Sequence, residues 1–465
     1  MAGRTRFKRA TSCGQRGEGR WKVSTLTRPK APLASVRDVL SGSIPTGRHV
    51  RIRGWLSNKR SSGGIAFLIL RDGTGWLQCT ARRDVLGQEA LEELTSLPVE
   101  SVLELQGEVR EDRRAPGGYE LAVEAYRVMS VAEPDFPIAK KYHGPDFLLE
   151  NRHLWIRSKK MWCVLMVRAK LLKAAREWLD EHGYVEVQAP TLTASACEGG
   201  ATLFPVDYFG RKAYLTQSWQ LYGEAFVASV GKCYTIAPSF RAEKSRTRRH
   251  LTEYWHLEVE IPFCGLKELL EIEEQLITHI CHRLAEWAGE ELKTLGRDPD
   301  HLARIEAPFQ RLTYDEALEF LRAKGVEVEW GEDLTWTHEK VLSEAFEEPF
   351  FITHFPKSAK AFYHKPDPAR PEVTLSADLL APEGYGEITG GGERIEDYEL
   401  LLARIREEGL DPEDYKWYLD LRRYGTVQHA GFGLGVERMV MWICRLEHIR
   451  DAIAFPRLVR RRPYP

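Results

Sequence analysis

The segment FRAEKSRTRRHLTEY, residues 240–254, decides the fold class because it joins two strand-like stretches through a loop dense in positive charge. The stretches on either side, residues 232–240 and 254–261, are short and rich in aromatic and β-branched residues, so the segment predicts a β-hairpin. Guanidinium groups bind phosphate oxygens in a bidentate manner, and Glu243 can accept a hydrogen bond from an exocyclic amine such as that of adenine. The loop therefore indicates a polyphosphate site, although a basic loop alone is also typical of a solvated surface.

A second strand pair, residues 375–380 and 384–389, follows further along the chain. Hairpins without regular strand–helix alternation predict an antiparallel β-sheet flanked by helices, an α+β fold. Neither a Walker phosphate loop nor a Rossmann glycine fingerprint is found, so any use of ATP requires another kind of site. The helices predicted beside this sheet cover residues 266–287, 313–324, 338–345 and 396–408.

The segment HAGFGLGVER, residues 429–438, carries alternating glycines followed by an apolar helix. Glycines on a strand allow a ligand to lie flat on the backbone, and Arg438 then emerges where the helix begins. A glycine-rich strand alone is weak support for a binding site.

Several short strands with one inserted helix precede this region and predict a small Greek-key barrel of the oligonucleotide-binding kind. Aromatic and basic side chains are interleaved there, as base stacking combined with phosphate attraction requires. Phe67, which follows the Gly63-Gly64 turn, is predicted to stack on a nucleic-acid base, and the alternative is a place in the barrel core. The other candidates for this surface are Arg60, Arg71 and Trp76.

These patterns predict a basic, disordered tail over 1–30, the barrel over 31–133, a linker over 134–155 and the catalytic domain over 156–465. The tail carries nine Arg and Lys residues against one Glu, whereas the whole chain has a net charge of −2. Such a tail is typical of a solvated extension that contacts polyanions weakly, and a transit peptide is the alternative.

The composition excludes several classes of protein. Apolar residues make up 43% and charged residues 29% of the 465 residues, as expected for a globular enzyme. No apolar run approaches the roughly 20 residues that span a bilayer, so no membrane association is expected. The eight cysteines are scattered singly, which favours reduced thiols and a cytoplasmic location.

Taken together, these segments resemble the class II aminoacyl-tRNA synthetases. Motif 1 of that class is similar to the predicted helix over 168–182 with the strand that ends at Pro190, motif 2 to residues 240–251, and motif 3 to residues 433–438. The barrel and the segments RHLW (152–155), EGGA (198–201) and YLTQS (214–218) resemble the aspartyl, asparaginyl and lysyl subgroup.

The segment WYLDLRRYGT, residues 417–426, is similar to the asparaginyl-tRNA synthetases in particular. Aspartyl enzymes of this branch place a lysine after the Gln-Leu-Tyr segment, whereas Gly223 and Glu224 follow Tyr222 here. Two unit charges about 4 Å apart interact by roughly 4 kcal/mol at an effective dielectric of 20, so Glu224 is expected to repel aspartate and to accept from the asparagine amide.

The resemblance implies activation of L-asparagine with ATP, transfer to tRNA(Asn), bound Mg²⁺ and a homodimer. It implies catalytic roles for Arg241, Glu387 and Arg438, with Glu387 also holding the metal. Asparagine is expected to contact Glu198, Gln220, Glu224, Arg241 and Arg394. ATP is expected to contact Arg241, Glu243, Arg249, His250, Leu251, Tyr254, Glu387, Gly435 and Arg438, and the anticodon Arg60, Phe67, Arg71 and Trp76. Two alternatives remain, an aspartyl enzyme with relaxed tRNA choice and a non-catalytic paralogue that only binds RNA.

Overall fold

The computed structural model describes residues 22–23, 31–194, 196–197, 203–244 and 247–465. The chain divides into two compact units, Met1–Lys141 and Tyr142–Pro465. Apart from Lys22–Val23, the predicted tail lies outside the described residues. Among the described residues, no helix combines the length and the apolar character that crossing a bilayer requires.

The first unit is a closed barrel. Its elements are β1 (Lys22–Val23), α1 (Val36–Leu40), β2 (His49–Ser62), β3 (Ile65–Arg71), β4 (Trp76–Arg82), α2 (Arg83–Leu86), α3 (Gln88–Ser96), β5 (Val102–Glu111) and β6 (Tyr119–Ser130). Strands β2, β3 and β4 form an antiparallel meander, β4 pairs with β6 in parallel, and β5 closes the ring by pairing with both β6 and β2. Side chains alternate between the core and the outside, as a barrel requires.

The second unit contains an eight-stranded sheet and a separate three-stranded sheet. The strands are β7 (Val185–Glu186), β8 (Leu192–Thr193), β9 (Pro205–Tyr208), β10 (Arg211–Leu215), β11 (Cys233–Phe240), β12 (Glu253–Pro262), β13 (Gln310–Thr313), β14 (Phe350–Thr353), β15 (Ser376–Ala381), β16 (Gly386–Glu393) and β17 (His429–Gly435). The large sheet has the order β13-β14-β15-β16-β17-β12-β11-β7, and its pairings are antiparallel except for β13–β14 and β11–β7. The small sheet has the order β8-β10-β9.

Helices cover one face of this sheet, and the main hydrophobic core lies between them. This arrangement confirms the predicted antiparallel sheet with helices beside it and a separate N-terminal barrel. The helices are α4 (Pro145–Glu150), α5 (Arg152–Trp155), α6 (Lys159–Glu181), α7 (Gln220–Val230), α8 (Leu266–Trp287), α9 (Gly289–Leu295), α10 (Pro299–Ala303), α11 (Tyr314–Ala323), α12 (Trp336–Ser343), α13 (Tyr398–Glu407), α14 (Lys416–Arg423) and α15 (Val436–Ile443).

The predicted linker over 134–155 is helical in its second half, so the second unit begins earlier than residue 156. Arg152 is buried and donates to the carbonyl oxygens of Arg450, Ile453 and Ala454. These bonds attach α5 to the C-terminal segment of the same unit, because a buried guanidinium requires such acceptors.

Helix α6 begins nine residues before its predicted start, since the Ser158 side chain caps it by accepting from the backbone N–H of Met161. Leu171, Ala175 and Leu179 on its apolar face are fully buried in the core of the single chain. That face therefore gives no argument for a dimer.

Candidate active site

The sheet of the second unit bears a cavity. Strands β12, β16 and β17 supply its floor, the loop between β11 and β12 one wall, and the start of α15 another. All nine residues predicted to contact ATP line this cavity, namely Arg241, Glu243, Arg249, His250, Leu251, Tyr254, Glu387, Gly435 and Arg438.

Strand β12 explains how one element serves both the core and the cavity. Its apolar residues Leu257, Val259 and Ile261 are buried in the main core. Because side chains alternate along a strand, the residues between them face the opposite side of the sheet. That side carries Tyr254, His256, Glu258 and Glu260.

The loop between β11 and β12 is tied down by Arg249, which is buried. Its guanidinium donates to Glu339 and to the backbone carbonyl of Glu387, both at 2.5 Å. Arg241 lies at the start of the loop, 5.8 Å from the centre of the Tyr254 ring. Two loop residues, 245 and 246, lie outside the described part of the chain.

Arg438 lies in the first turn of α15 and forms an ion pair of 2.7 Å with Glu387. Burial alone would raise the pKa of Glu387, but the guanidinium groups of Arg438 and Arg249 hold this pKa well below its usual range. Glu387 is therefore ionised at neutral pH and can bind a cation.

Two histidines of the cavity are neutral at pH 7. Burial, reinforced by Arg438 and Arg249, lowers the pKa of His250 to about 4. Burial, with Arg241 and Arg438, lowers the pKa of His256 to about 3. The positive charge of the cavity thus comes from arginine, which suits phosphate binding at any physiological pH.

A second cavity adjoins the first, and Arg241, His256, Glu387 and Gly433 line both. It contains three of the five residues predicted for asparagine, Gln220, Arg241 and Arg394. Glu198 lies outside the described residues, so its predicted role stays a prediction.

Arg394 follows β16 and is almost completely buried. Its Nε donates to Glu260 Oε1 at 2.9 Å, and its Nη2 donates to Gln220 Oε1 at 2.6 Å and to Glu260 Oε2 at 3.2 Å. The carboxylate of Glu260 balances the charge of the Arg394 guanidinium. Arg394 therefore acts as a hydrogen-bond donor whose positive charge is already paired.

Glu224 lies beside the residues that line the second cavity. Its carboxylate accepts from Gln220, Tyr418 and Arg422 and contacts His429. Of these partners, Gln220 itself lines the cavity. The expected direct contact between Glu224 and asparagine stays a prediction.

The sequence alone missed several residues of the second cavity. Glu258 accepts from the backbone N–H of Trp219, and Lys360 contacts both oxygens of Asp378 at 2.7 Å. The alternation of polar and apolar residues along β12 was the available signal for His256, Glu258 and Glu260. Lys360 and Asp378 had no comparable signal.

In the barrel, Phe67 is half-buried on the outer face of β3, between the core residues Ala66 and Leu68. Arg60 lies over its ring, 4.5 Å from the centroid. The interpretation of Phe67 as a core residue is therefore excluded.

Arg71 occupies the same face of β3, opposite Trp55 on β2 and Trp76 on β4. It is buried and paired with Glu100 at 2.9 Å. The four predicted residues thus share one face of the barrel, with Arg60 the most exposed of them.

Comparison with known proteins finds a matching family for each of the two units. Residues 144–459 match the family of tRNA synthetases class II (D, K and N), and residues 50–129 match the OB-fold nucleic acid binding domain. The chain is 49% identical over 415 residues to the asparagine–tRNA ligase of Pelotomaculum thermopropionicum. The aligned residues cover 89% of this chain and 96% of that protein.

Solved structures agree with this assignment. The asparaginyl-tRNA synthetase from Pyrococcus horikoshii complexed with asparaginyl-adenylate has a TM-score of 0.87 and 48% identity, covering 90% of this chain and 97% of that one. A putative aspartyl-tRNA synthetase from Leishmania major has a TM-score of 0.81 at 26% identity, covering 95% and 97%. The chain therefore belongs to the class II tRNA synthetases of the D, K and N family.

Proposed function

We propose that this chain is an asparagine–tRNA ligase, which activates L-asparagine with ATP and transfers it to tRNA(Asn). One observation carries the proposal: a cavity rich in arginine adjoins a second cavity that contains Gln220 and Arg394, with Arg241 and Glu387 at their border. Adenylate formation requires such a border, because the amino-acid carboxylate must meet the α-phosphate there.

In the first step, an oxygen of the asparagine carboxylate forms a bond to the α-phosphorus, and the bond to the leaving pyrophosphate breaks. Negative charge builds on the α-phosphate, and Arg241 is placed to stabilise it. Arg438 and Arg249 line the part of the cavity assigned to ATP, and Tyr254 offers an aromatic face for the adenine. No covalent enzyme intermediate is required.

Asparagine would lie in the second cavity with its side chain toward Arg394 and Gln220. Since Glu260 already balances the charge of Arg394, a neutral side chain can accept from the guanidinium without introducing an unpaired charge. Glu258 offers a carboxylate for the α-ammonium group, together with Glu198.

The residues present also fit a Mg²⁺ ion. A Cβ built on Gly390 would lie 3.1 Å from Asp378 Oδ1 and 3.6 Å from Glu387 Oε1, so both carboxylates border one small space. Carboxylates and substrate phosphates are the ligands that Mg²⁺ prefers. Glu387 and Asp378 would hold the ion, which when bound neutralises phosphate charge.

Transfer to tRNA(Asn) is assigned to the same catalytic site, and anticodon binding to the barrel face that carries Phe67, Arg60, Arg71 and Trp76. A half-buried aromatic ring on the outer face of the barrel, beside an arginine, suits a stacked base near a phosphate.

A homodimer is part of the proposal, on grounds other than helix α6. Strand β7 lies at the edge of the large sheet, and Val185 on that strand is 43% exposed. Val230 and Phe263, at the neighbouring ends of α7 and β12, are 39% and 79% exposed. Such a group of apolar side chains is typical of a subunit interface.

ATP–pyrophosphate exchange with each of the twenty amino acids tests the activation step. We expect exchange with asparagine and little with aspartate. Exchange driven by aspartate would favour the aspartyl alternative, and binding of RNA without any exchange would favour the non-catalytic one.

A further inference from the structure

A lysine contacts one of the two carboxylates assigned to Mg²⁺. Lys360 follows the short 3₁₀ helix Lys357–Ala359, in the segment between β14 and β15, and lines the second cavity. Its Nζ donates to Oδ1 and to Oδ2 of Asp378, both at 2.7 Å. The activation step does not use this ammonium group, so its contact with Asp378 requires another explanation.

The Lys360 ammonium is held from two sides. Its Nζ lies 3.9 Å from the centre of the Phe355 ring, and Phe355 is buried. The Lys360 side chain is itself only 14% exposed. A cation over an aromatic face is attracted by the ring, and a shielded ion pair is screened less than one on the surface. The ammonium is therefore fixed at Asp378 by the fold around it.

Both carboxylates that border the small space assigned to Mg²⁺ are paired with a protein cation. Lys360 is paired with Asp378, and Arg438 with Glu387 at 2.7 Å. A divalent ion placed on Asp378 would lie close to the Lys360 ammonium, and like charges repel each other. Mg²⁺ is usually bound by one or two carboxylates together with substrate phosphates. These two carboxylates alone are thus a poor site for the ion.

The two protein cations differ in which oxygen they contact. A Cβ built on Gly390 lies nearest to Oδ1 of Asp378 and Oε1 of Glu387, so these two oxygens border the small space assigned to Mg²⁺. Arg438 pairs with Oε2 of Glu387, which is the other oxygen. Lys360 contacts Oδ1 of Asp378 as well as Oδ2. Lys360 therefore lies on an oxygen that the ion needs, whereas Arg438 does not.

We propose that Lys360 competes with Mg²⁺ for Asp378, so that the chain binds the ion weakly by itself and tightly only together with ATP. The inference rests on the metal site of the proposed function. The ATP phosphates bring negative charge to which the Lys360 ammonium can turn, and Asp378 then accepts the ion instead. Because coupling between two ligands is reciprocal, ATP and the ion each increase the affinity for the other.

Titration with Mn²⁺ alone, in the absence of ATP, measures this competition. Mn²⁺ favours the same oxygen ligands as Mg²⁺, and electron paramagnetic resonance distinguishes its free from its bound form. In Lys360→Met, an apolar stem still packs on Phe355 while the charge is lost. We expect the Kd for Mn²⁺ to fall by about tenfold or more, which corresponds to ~1.4 kcal/mol. Lys360→Arg keeps a cation at Asp378, and its Kd should stay close to that of the wild-type chain.

A double variant locates the bound ion. In Lys360→Met/Asp378→Asn the carboxylate is lost together with the ammonium, and we expect the tighter binding of Mn²⁺ to disappear. Tight binding that persists in this double variant would place the ion elsewhere and overturn the proposal.

Lys365→Met is the matched control for charge. Lys365 is also a largely buried lysine in an ion pair, with Glu396 at 2.6 Å and Glu393 at 3.5 Å. Its loss changes the net charge by the same amount as the loss of Lys360, and we expect the Kd for Mn²⁺ to stay unchanged. An equal fall of this Kd in Lys365→Met would show that only the overall charge matters, which contradicts competition at Asp378.

A purely structural role of Lys360 gives a different result. Lys360→Met would then lower the melting temperature and leave the Kd for Mn²⁺ unchanged or raised, which overturns the inference. If Lys360→Met does not fold, Lys360→Gln replaces it, because its neutral amide can still donate to Asp378, and the same fall is expected. Absence of Mn²⁺ binding at millimolar concentration in every variant also overturns the inference. Failure of the proposed function appears in another assay, because the wild-type chain would then not activate asparagine.

Discussion

At the scale of the residue, Gly431 illustrates how closely the site is packed. A Cβ at this position would lie 2.1 Å from Glu260 Oε2 and 2.3 Å from the carbonyl oxygen of Val259. Glu260 in turn holds Arg394. The glycine therefore provides the space in which the partner of the substrate-binding arginine lies.

We predict that Gly431→Ala lowers the free energy of unfolding by about 1–3 kcal/mol, the usual cost of overpacking, and raises the KM for asparagine. Gly433→Ala is the matched control, because its Cβ would have its nearest contact at 3.5 Å, with Glu258 Cγ. Denaturant unfolding and pyrophosphate exchange measure both effects. Equal stability of the two variants would contradict this account of the packing.

The neutral histidines predict a pH dependence of stability. The pKa of His256 is about 3 in the folded chain and about 6.5 when unfolded. As the pH falls below 6.5, the unfolded chain binds a proton that the folded chain does not, so the free energy of unfolding decreases. His256→Gln should reduce this decrease between about pH 7.5 and about pH 5. The exposed His153, replaced by glutamine, serves as control, and identical pH profiles for the two variants would refute the assignment.

Among the elements, strand β12 shows which parts of the site could be predicted from the sequence and which could not. The hairpin, its basic loop and the glycine strand were all recognisable, because local charge and glycine spacing are visible in the sequence. The partners of Arg394 were not, since Glu260, Gln220 and the groups around Glu224 meet only when β12, α7 and α14 pack together.

The barrel face allows a test on neighbouring residues of β3. We predict that Phe67→Ala leaves the melting temperature nearly unchanged and raises the KM for tRNA(Asn), because one stacked base contributes about 1–3 kcal/mol. Leu68→Ala should instead cost about 2–5 kcal/mol of stability, because Leu68 is fully buried in the barrel core. An unaltered KM for tRNA in a stable Phe67→Ala protein would assign recognition to Arg60, Arg71 or Trp76.

At the scale of the whole molecule, the two units combine a nucleic-acid barrel with a catalytic sheet. We predict that the chain sediments as a dimer at low micromolar concentration, with about twice the chain mass of 53.3 kDa. Phe263→Asp should shift it toward the single-chain mass, because a charge would enter an apolar interface. Gly325, on a surface turn after α11, offers a control through Gly325→Asn. An active wild-type species of single-chain mass would contradict the dimer.

The proposed ligase acts on both an amino acid and an RNA, so aminoacylation of tRNA(Asn) measures both in one assay. Purified chain is incubated with ATP, Mg²⁺ and tRNA(Asn) transcript, with labelled asparagine or labelled aspartate in parallel, and label attached to the tRNA is counted. We expect asparagine to become attached to the tRNA as AMP is released, and aspartate to remain unattached. Attachment of aspartate, or retention of tRNA without attachment of either amino acid, would contradict the proposed function.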